Sequence, residues 1–193
     1  RSTKFIYASS ASVYNSKKKI YFKEKDKISP GINSYDISKY LFDKSVSKFY
    51  KNFFGLRMGT LSGFSENFRK ELIFNKMCLD SIFKKKIYVS NESCNRSILY
   101  LSDLAEIIYL LINKNIKPGI YNLASHSSSI GDLSKKVSKF FNSKIIKLPN
   151  RDTYSFKMNI SKIKSVGFKS KDGLNKQLNK IKLDLKKNEK RIF

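Results

Sequence analysis

The chain has 193 residues, 40% hydrophobic and 13% aromatic, enough for one ordinary domain with its own core. Its formal charge of +25 comes from 40 Lys+Arg against 15 Asp+Glu, but the lysines are spread through nearly every segment, with no zinc-finger spacing or aromatic RNA-binding box beside them. Two cysteines (Cys78, Cys94) and one histidine are too few for a disulfide framework or a zinc site, and the longest apolar run, "IIYLLI" at 107–112, is far short of a bilayer span of about 20 residues.

In chain order, "TKFIYAS" (3–9) is an apolar, aromatic run ending in small hydroxyl residues, which predicts a buried strand. Residues 15–34 are polar, with "SPG" at 29–31, and predict a long loop. From Ser34, the expected N-cap, the apolar positions Ile37, Leu41, Phe49 and Phe53 predict a helix to about residue 53. "FFGLRMGTLSG" (53–63) then reads as a second strand entering a glycine-bearing loop. Strand, loop, helix, strand is one unit of a doubly wound parallel sheet.

A helix is expected over 67–83, with Phe68, Leu72, Leu79 and Phe83 near one face. "RSILYLSDLAEIIYLLI" (96–112) splits into a strand and a helix capped by Ser102 or Asp103. "PGIYNLA" (118–124) predicts a turn and strand, and "SIGDLSKKVSKFF" (129–141) a helix. The tail helix carries Leu174, Leu178, Ile181 and Leu185 on one face. The expected class is α/β: the C-terminal part of a Rossmann-like doubly wound parallel sheet over 1–62, then a smaller mixed α/β substrate region over 63–193.

"NSYDISKY" (33–40) places Tyr35 one helical turn before Lys39. A lysine there can hold a phenol as phenolate, which near pH 7 means lowering a pKa of about 10 at about 1.4 kcal/mol per unit. Spacing alone does not select this pair, because Tyr14/Lys18, Tyr21/Lys25 and Tyr40/Lys44 repeat it. Context does: Tyr35 opens a helix that follows a strand ending in Ser9-Ser10. The first and second alternatives lie in the polar loop, and Tyr40 points from another face of the helix.

"FIYASSASVYN", "SYDISK" and "LRMGTLSG", in that order, resemble the extended short-chain dehydrogenase/reductase family, the NAD-dependent epimerases and dehydratases of nucleotide sugars. "RKELIFNKM" (69–77) is similar to that family's Arg-Phe-Asp-Leu-Val-Val-Asn block. "RSILYLSDLAEII" (96–108), "GIYNLAS" and "KSVGF" (164–168) match its later blocks. The resemblance implies that Ser10 holds the substrate oxygen, Tyr35 moves its proton, and Lys39 supports the phenolate and the nicotinamide ribose. It implies Ala8, Ser9 and Gly59 beside the nicotinamide of NAD (or NADP), and Thr60, Glu71, Asn75 and Arg96 on the nucleotide sugar, with Arg96 at the diphosphate. It also implies a cytoplasmic homodimer serving surface-polysaccharide (lipopolysaccharide) synthesis; no membrane partner is expected, and the dispersed lysines make nucleic acid the less favoured partner.

Four departures stand against the pattern. Val13-Tyr14-Asn15 replaces Val-Tyr-Gly, Thr60 replaces an asparagine, and "NRDTY" (150–154) alters both charged positions of Asp-x-Arg-x-Tyr. The eight glycines contain no Gly-x-x-Gly-x-x-Gly turn for a pyrophosphate. The expectation is that strand–helix units on the order of 100 residues precede Arg1. Two other readings stay open: a non-catalytic remnant that binds a sugar nucleotide or a partner subunit, and a basic nucleic-acid-binding module.

Overall fold

Three parallel strands form the first sheet of the computed structural model, which describes residues 3–14, 20–28, 33–153 and 155–192. β1 (Phe5–Ser10) lies beside β3 (Phe53–Met58), and β3 beside β7 (Gly119–Leu123), in the order β1-β3-β7. Tyr7 stands opposite Gly55 and Ser10 opposite Met58, so β1 and β3 end level with each other. β7 brings residues 119–123 back to the sheet begun at the start of the chain. Asn15, Lys18 and the "SPG" stretch lie outside the described residues, as does Tyr154.

β1 leads through a 3-10 turn (Ala11–Tyr14) and the two-residue β2 (Tyr21–Phe22) into α1 (Ser34–Phe49). The segment expected as loop therefore holds a short strand, paired in parallel with β10 (Lys157–Met158). The N-cap of α1 is Asn33, one residue before the expected Ser34. Its side-chain oxygen accepts the Asp36 amide at 2.9 Å, satisfying one of the helix's free donors.

The helix stops at Phe49, short of residue 53, and turns the opposite face inward from the one its apolar spacing indicates. Ile37, Leu41 and Phe49 are exposed, while Asp36, Asp43 and Val46 are buried. The reason is a polar contact: Asp43 is held inside by Arg57 of β3 and by Tyr7 of β1.

β4 (Thr60–Ser62) starts a second sheet, β4-β6-β8, where β6 (Asn95–Tyr100) runs parallel to β4 and β8 (His126–Ser129) antiparallel to β6. Gly59 is the step between the two sheets. A Cβ there would lie 2.5 Å from the Ser97 carbonyl oxygen of β6, so only glycine lets the backbones pass. Its own amide donates to Leu123 O at 2.9 Å, which ties the step to β7.

α2 (Ile73–Phe83) begins later than the expected 67, because 64–72 wraps around buried Asn75 instead of coiling. α3 (Leu101–Asn113) follows β6 directly and is capped at Tyr100 without a side-chain bond. The expected caps Ser102 and Asp103 sit inside its first turn, and Asp103 accepts from Ser170 Oγ. β5 (Lys86–Val89) pairs in parallel with β9 (Lys144–Lys147) beside α4 (Ile130–Phe141), which Ser129 caps.

α5 (Ser161–Ser165), α6 (Leu174–Lys187) and α7 (Glu189–Ile192) complete the chain. One core packs Phe54, Leu56, Ile107, Leu111 and Phe168 against the first sheet. A second joins α2, β5, α4 and α6 through Phe74, Val89, Leu133, Leu178 and Ile181.

Candidate active site

The C-terminal ends of β1 and β3 point the same way, and in open α/β sheets that end is where ligands bind. β1 delivers Ser9 and Ser10 there. Ser10 Oγ is fixed by two contacts from the following turn, the Ser12 amide at 3.2 Å and the Ser12 hydroxyl at 2.8 Å. The capped first turn of α1 delivers Tyr35, and Lys39 follows one turn later. Lys39 Nζ donates to the Ala8 carbonyl at 2.9 Å and lies 5.7 Å from the Tyr35 ring centroid. The step after β3 delivers Gly59 and Thr60, and the start of β6 delivers Arg96.

All of these residues but Lys39, which stands behind Tyr35 against the Ala8 carbonyl, line one cleft of about 460 Å³, with Ser9, Ser10, Ser12, Tyr35, Gly59, Thr60, Arg69 and Arg96 on its walls and Leu72 and Phe156 as apolar patches. Ser9 is buried at 2% exposure, and its hydroxyl has no hydrogen-bond partner among the described residues. A buried hydroxyl normally finds one, so the wall carries an unmet bond that a ligand can complete.

Ring geometry does not separate the tyrosines, because Lys44 lies 5.8 Å from the Tyr40 ring, much as Lys39 does from Tyr35. The cavities do. Tyr40 lines a different one, of about 380 Å³, with Glu24, Asp26, Lys27 and Arg57. Tyr14 is buried, donating to Asn122 Oδ1 at 2.7 Å and accepting from Arg57 at 2.8 Å; burial pushes its phenol up. Tyr21 sits on β2. Of the four tyrosines, Tyr35 alone shares a cleft with Ser10.

A second cleft of about 310 Å³ adjoins the first and contains Glu71, Lys76, Asp80, Asn91, Arg151 and Asp152. Arg96 lines both, so it stands at their junction. Its guanidinium donates to Asn95 O at 3.0 Å and to Thr153 Oγ1 at 2.5 Å. Glu71 belongs to the second cleft only. A backbone hydrogen bond and then the Arg69 guanidinium hold its carboxyl below the usual carboxylate value.

Asn75 lines neither cleft: its oxygen accepts from the Gly63 amide at 3.2 Å and its nitrogen donates to Arg69 O at 3.1 Å. It supports the wall that carries Arg69. Ala8 enters through its carbonyl, the acceptor for Lys39. Ser12, Arg69 and Phe156 are cleft residues that the sequence pattern does not single out. Arg69 had a signal, as the first residue of the "RKELIFN" block; Phe156 had none.

Residues 1–124 match the NAD dependent epimerase/dehydratase family. The chain belongs to that family. It is 30% identical over 156 residues to an uncharacterized protein of Methanocaldococcus jannaschii, a match covering 77% of this chain and 48% of that protein. It is 26% identical over 153 residues to the ADP-L-glycero-D-manno-heptose-6-epimerase of Brachyspira hyodysenteriae, covering 72% of this chain and 47% of the relative. This epimerase/dehydratase-family chain thus spans about half the length of the curated relatives it matches.

Its fold is similar to the dTDP-glucose 4,6-dehydratase of Bacillus anthracis, solved in complex with NAD. The TM-score is 0.80 at 18% identity, covering 97% of this chain and 63% of that one. That likeness establishes the α/β, Rossmann-type architecture. No helix among the described residues is long and apolar enough to cross a membrane.

Proposed function

We propose that this chain forms the substrate cleft and proton-transfer group of a nucleotide-sugar epimerase or dehydratase working with NAD (or NADP). The observation that carries the reading is the single cleft on which Ser10, Tyr35, Gly59, Thr60 and Arg96 meet, from separate elements. Ser10 and Tyr35 hydrogen-bond one sugar hydroxyl, and Tyr35 takes its proton as the carbon beneath is oxidised. Lys39, one turn away, favours the phenolate by its charge. The nicotinamide, when bound, supplies the hydride acceptor and donor. Tyr35 returns the proton when the carbonyl is reduced again, and Ser10 holds the oxygen throughout. Arg96, at the junction of the clefts, takes the diphosphate, so the nucleotide lies in the cleft of Glu71, Asn91 and Arg151.

The residues fit the nicotinamide end of the cofactor. Ser9 offers an unmet hydroxyl on the wall, and Lys39 Nζ sits against the Ala8 carbonyl beside it. The pyrophosphate turn has no counterpart among the eight glycines, and on this reading it is supplied from outside these 193 residues. A cytoplasmic homodimer and a place in surface-polysaccharide synthesis belong to the same proposal.

The test is calorimetric titration of the purified chain with UDP-, dTDP- and ADP-sugars. Saturable binding of at least one, weakened by Arg96→Lys because an ammonium lacks the guanidinium fork, is the expected result. Binding of none overturns the proposal, and steep salt-dependent binding of duplex DNA in its place would favour the basic-module reading.

A further inference from the structure

Ser10 ends β1, and the 3-10 turn of Ala11–Tyr14 follows it directly. Its Oγ accepts the Ser12 amide at 3.2 Å, as a small hydroxyl does when it caps a turn two residues on. The same oxygen lies 2.8 Å from the Ser12 hydroxyl, and either of the two can donate. Neither hydroxyl has a further partner among the described residues. Both line the cleft of Tyr35, where Ser12 is half-buried.

A serine hydroxyl has one hydrogen to give and two lone pairs to receive. The Ser12 amide fills one lone pair of Ser10. If the Ser12 hydroxyl donates, it fills the other, and only the Ser10 hydrogen is left to face the cleft. If Ser10 donates instead, its hydrogen turns back into the wall and reaches no ligand. Among the described residues no carboxylate or imidazole lines this cleft. The negative acceptors there are the Tyr35 phenolate and the sugar oxygen as it gives up its proton. Both attract the Ser10 hydrogen, so both select the arrangement in which Ser12 is the donor. A hydroxyl that accepts a hydrogen bond is also polarised into a stronger donor.

We infer that Ser12 is a positioning residue for the reaction: its hydroxyl donates to Ser10 and thereby commits the Ser10 hydrogen to the sugar oxygen. The inference rests on the sugar-nucleotide reading above and adds the residue that aims Ser10. Ser12 acts through Ser10 alone. Its removal therefore slows the proton-coupled step and leaves the grip on the rest of the nucleotide sugar as it was.

The experiment is a double-mutant cycle of Ser10→Ala and Ser12→Ala, with Ser12→Thr as the variant that keeps the hydroxyl. Turnover is measured with NAD and a polypeptide carrying a glycine turn supplied, on whichever of the UDP-, dTDP- and ADP-sugars binds the parent. Ser12→Ala should lower kcat on the order of tenfold, the worth of one hydrogen bond, with KM held within about twofold. Ser12→Thr should restore most of the loss. In the Ser10→Ala background, Ser12→Ala should cost nothing more. The 193-residue chain by itself gives a second reading, hydrogen exchange at the residue 12 amide that donates to Ser10. Ser12→Ala frees Ser10 to turn away and should speed that exchange by about threefold or more, while Ser12→Thr exchanges as the parent does.

Losses that add across the cycle overturn the inference, since Ser12 would then act on the fold or the substrate by its own route. So does a Ser12→Thr variant as slow as Ser12→Ala, or residue 12 exchange that is the same in all three proteins. Each of these leaves the proposed function standing, because the parent still binds and turns over its sugar nucleotide. A parent that binds none of the three sugars overturns the proposed function, and this inference with it.

Discussion

Asp43 and Arg57 meet at 2.8 Å with both side chains sealed from water, at 3% and 4% exposure. Around them, Tyr7 donates to the other Asp43 oxygen at 3.0 Å, and Arg57 Nη1 donates to the Tyr14 hydroxyl at 2.8 Å and to Glu24 O at 3.0 Å. Burial, then the Asp43 carboxylate, pushes the Tyr7 phenol well above its ordinary value, so it stays a donor. Asp43 lies one turn beyond Lys39 on α1, and Arg57 lies two residues before Gly59. The pair therefore sets how α1 presents Tyr35 and Lys39 to the ends of β1 and β3.

Removing one partner leaves the other charge buried and unpaired. Asp43→Ala and Arg57→Met should each cost about 3–5 kcal/mol, and an apolar double replacement should recover much of that loss. Urea unfolding of the four proteins checks this. Single-variant losses below about 1 kcal/mol, the range of exposed pairs, would show that the pair does not hold α1 in place.

Gly59→Ala should destabilise by about 1–3 kcal/mol, the usual cost of overpacking. The clash is with backbone, the Ser97 carbonyl at 2.5 Å, and no side chain can swing aside to relieve it. A Cβ added at Gly173 would meet nothing within 4 Å among the described residues, so Gly173→Ala serves as the control. Thermal melts that fall equally for both alanine variants would place the effect in backbone freedom rather than in the step between sheets.

The same residues explain what the sequence revealed and what it hid. β1, β3, β7, α4 and α6 were readable because each carries its own apolar pattern, and Ser10, Tyr35 and Gly59 because they sit at element ends that the pattern locates. The inward face of α1 was hidden, because Asp43 reads as a surface residue until its partner, fourteen positions on, is known. β5, β8 and β9 are four residues each, "KIYV", "HSSS" and "KIIK", too short for period-two alternation to stand out, and they are recognisable only by distant pairing. Arg69 was half legible: it opens the "RKELIFN" block, but its place on the cleft wall is a tertiary fact.

Tyr35→Phe and Tyr40→Phe separate the two helical pairs chemically. With NAD and a polypeptide carrying a glycine turn supplied, Tyr35→Phe should lower turnover by about 10²–10⁴-fold, the usual worth of a positioned acid–base group. Tyr40→Phe should cost little. Tyr35 is exposed, so its variant should melt as the parent does. Comparable losses of turnover from both would mean that the cleft of Ser10 is not where the proton moves.

The single histidine gives a pH signature. His126 Nε2 is buried without a partner among the described residues, and burial, then Lys136, lowers the folded-state pKa. The unfolded chain, with a value of about 6.5, binds the proton more readily. The resulting stability is present above the unfolded pKa and is lost as pH falls through the folded one. Between pH 7 and 5.5 the parent should lose melting temperature faster than His126→Gln. Parallel slopes would place the pH sensitivity in the carboxylates.

The last prediction is that the 193-residue chain alone binds NAD no more tightly than the millimolar range. A dinucleotide is held chiefly through a glycine turn, the helix N-terminus behind it and an acidic residue on the adenosine ribose. The proposed nicotinamide wall of Ser9, Tyr35, Lys39 and Gly59 would position a ring without gripping a pyrophosphate. The sheet order β1-β3-β7 leaves the outer edge of β1 without a strand partner among the described residues, and an open edge of this kind recruits other strands. The chain should therefore associate at high concentration, and a polypeptide carrying the glycine turn should both suppress that association and raise NAD affinity. Calorimetry with NAD and sedimentation across a concentration series read the two effects separately. Micromolar NAD binding by a stable monomer would show that the dinucleotide is held elsewhere than at the ends of β1 and β3.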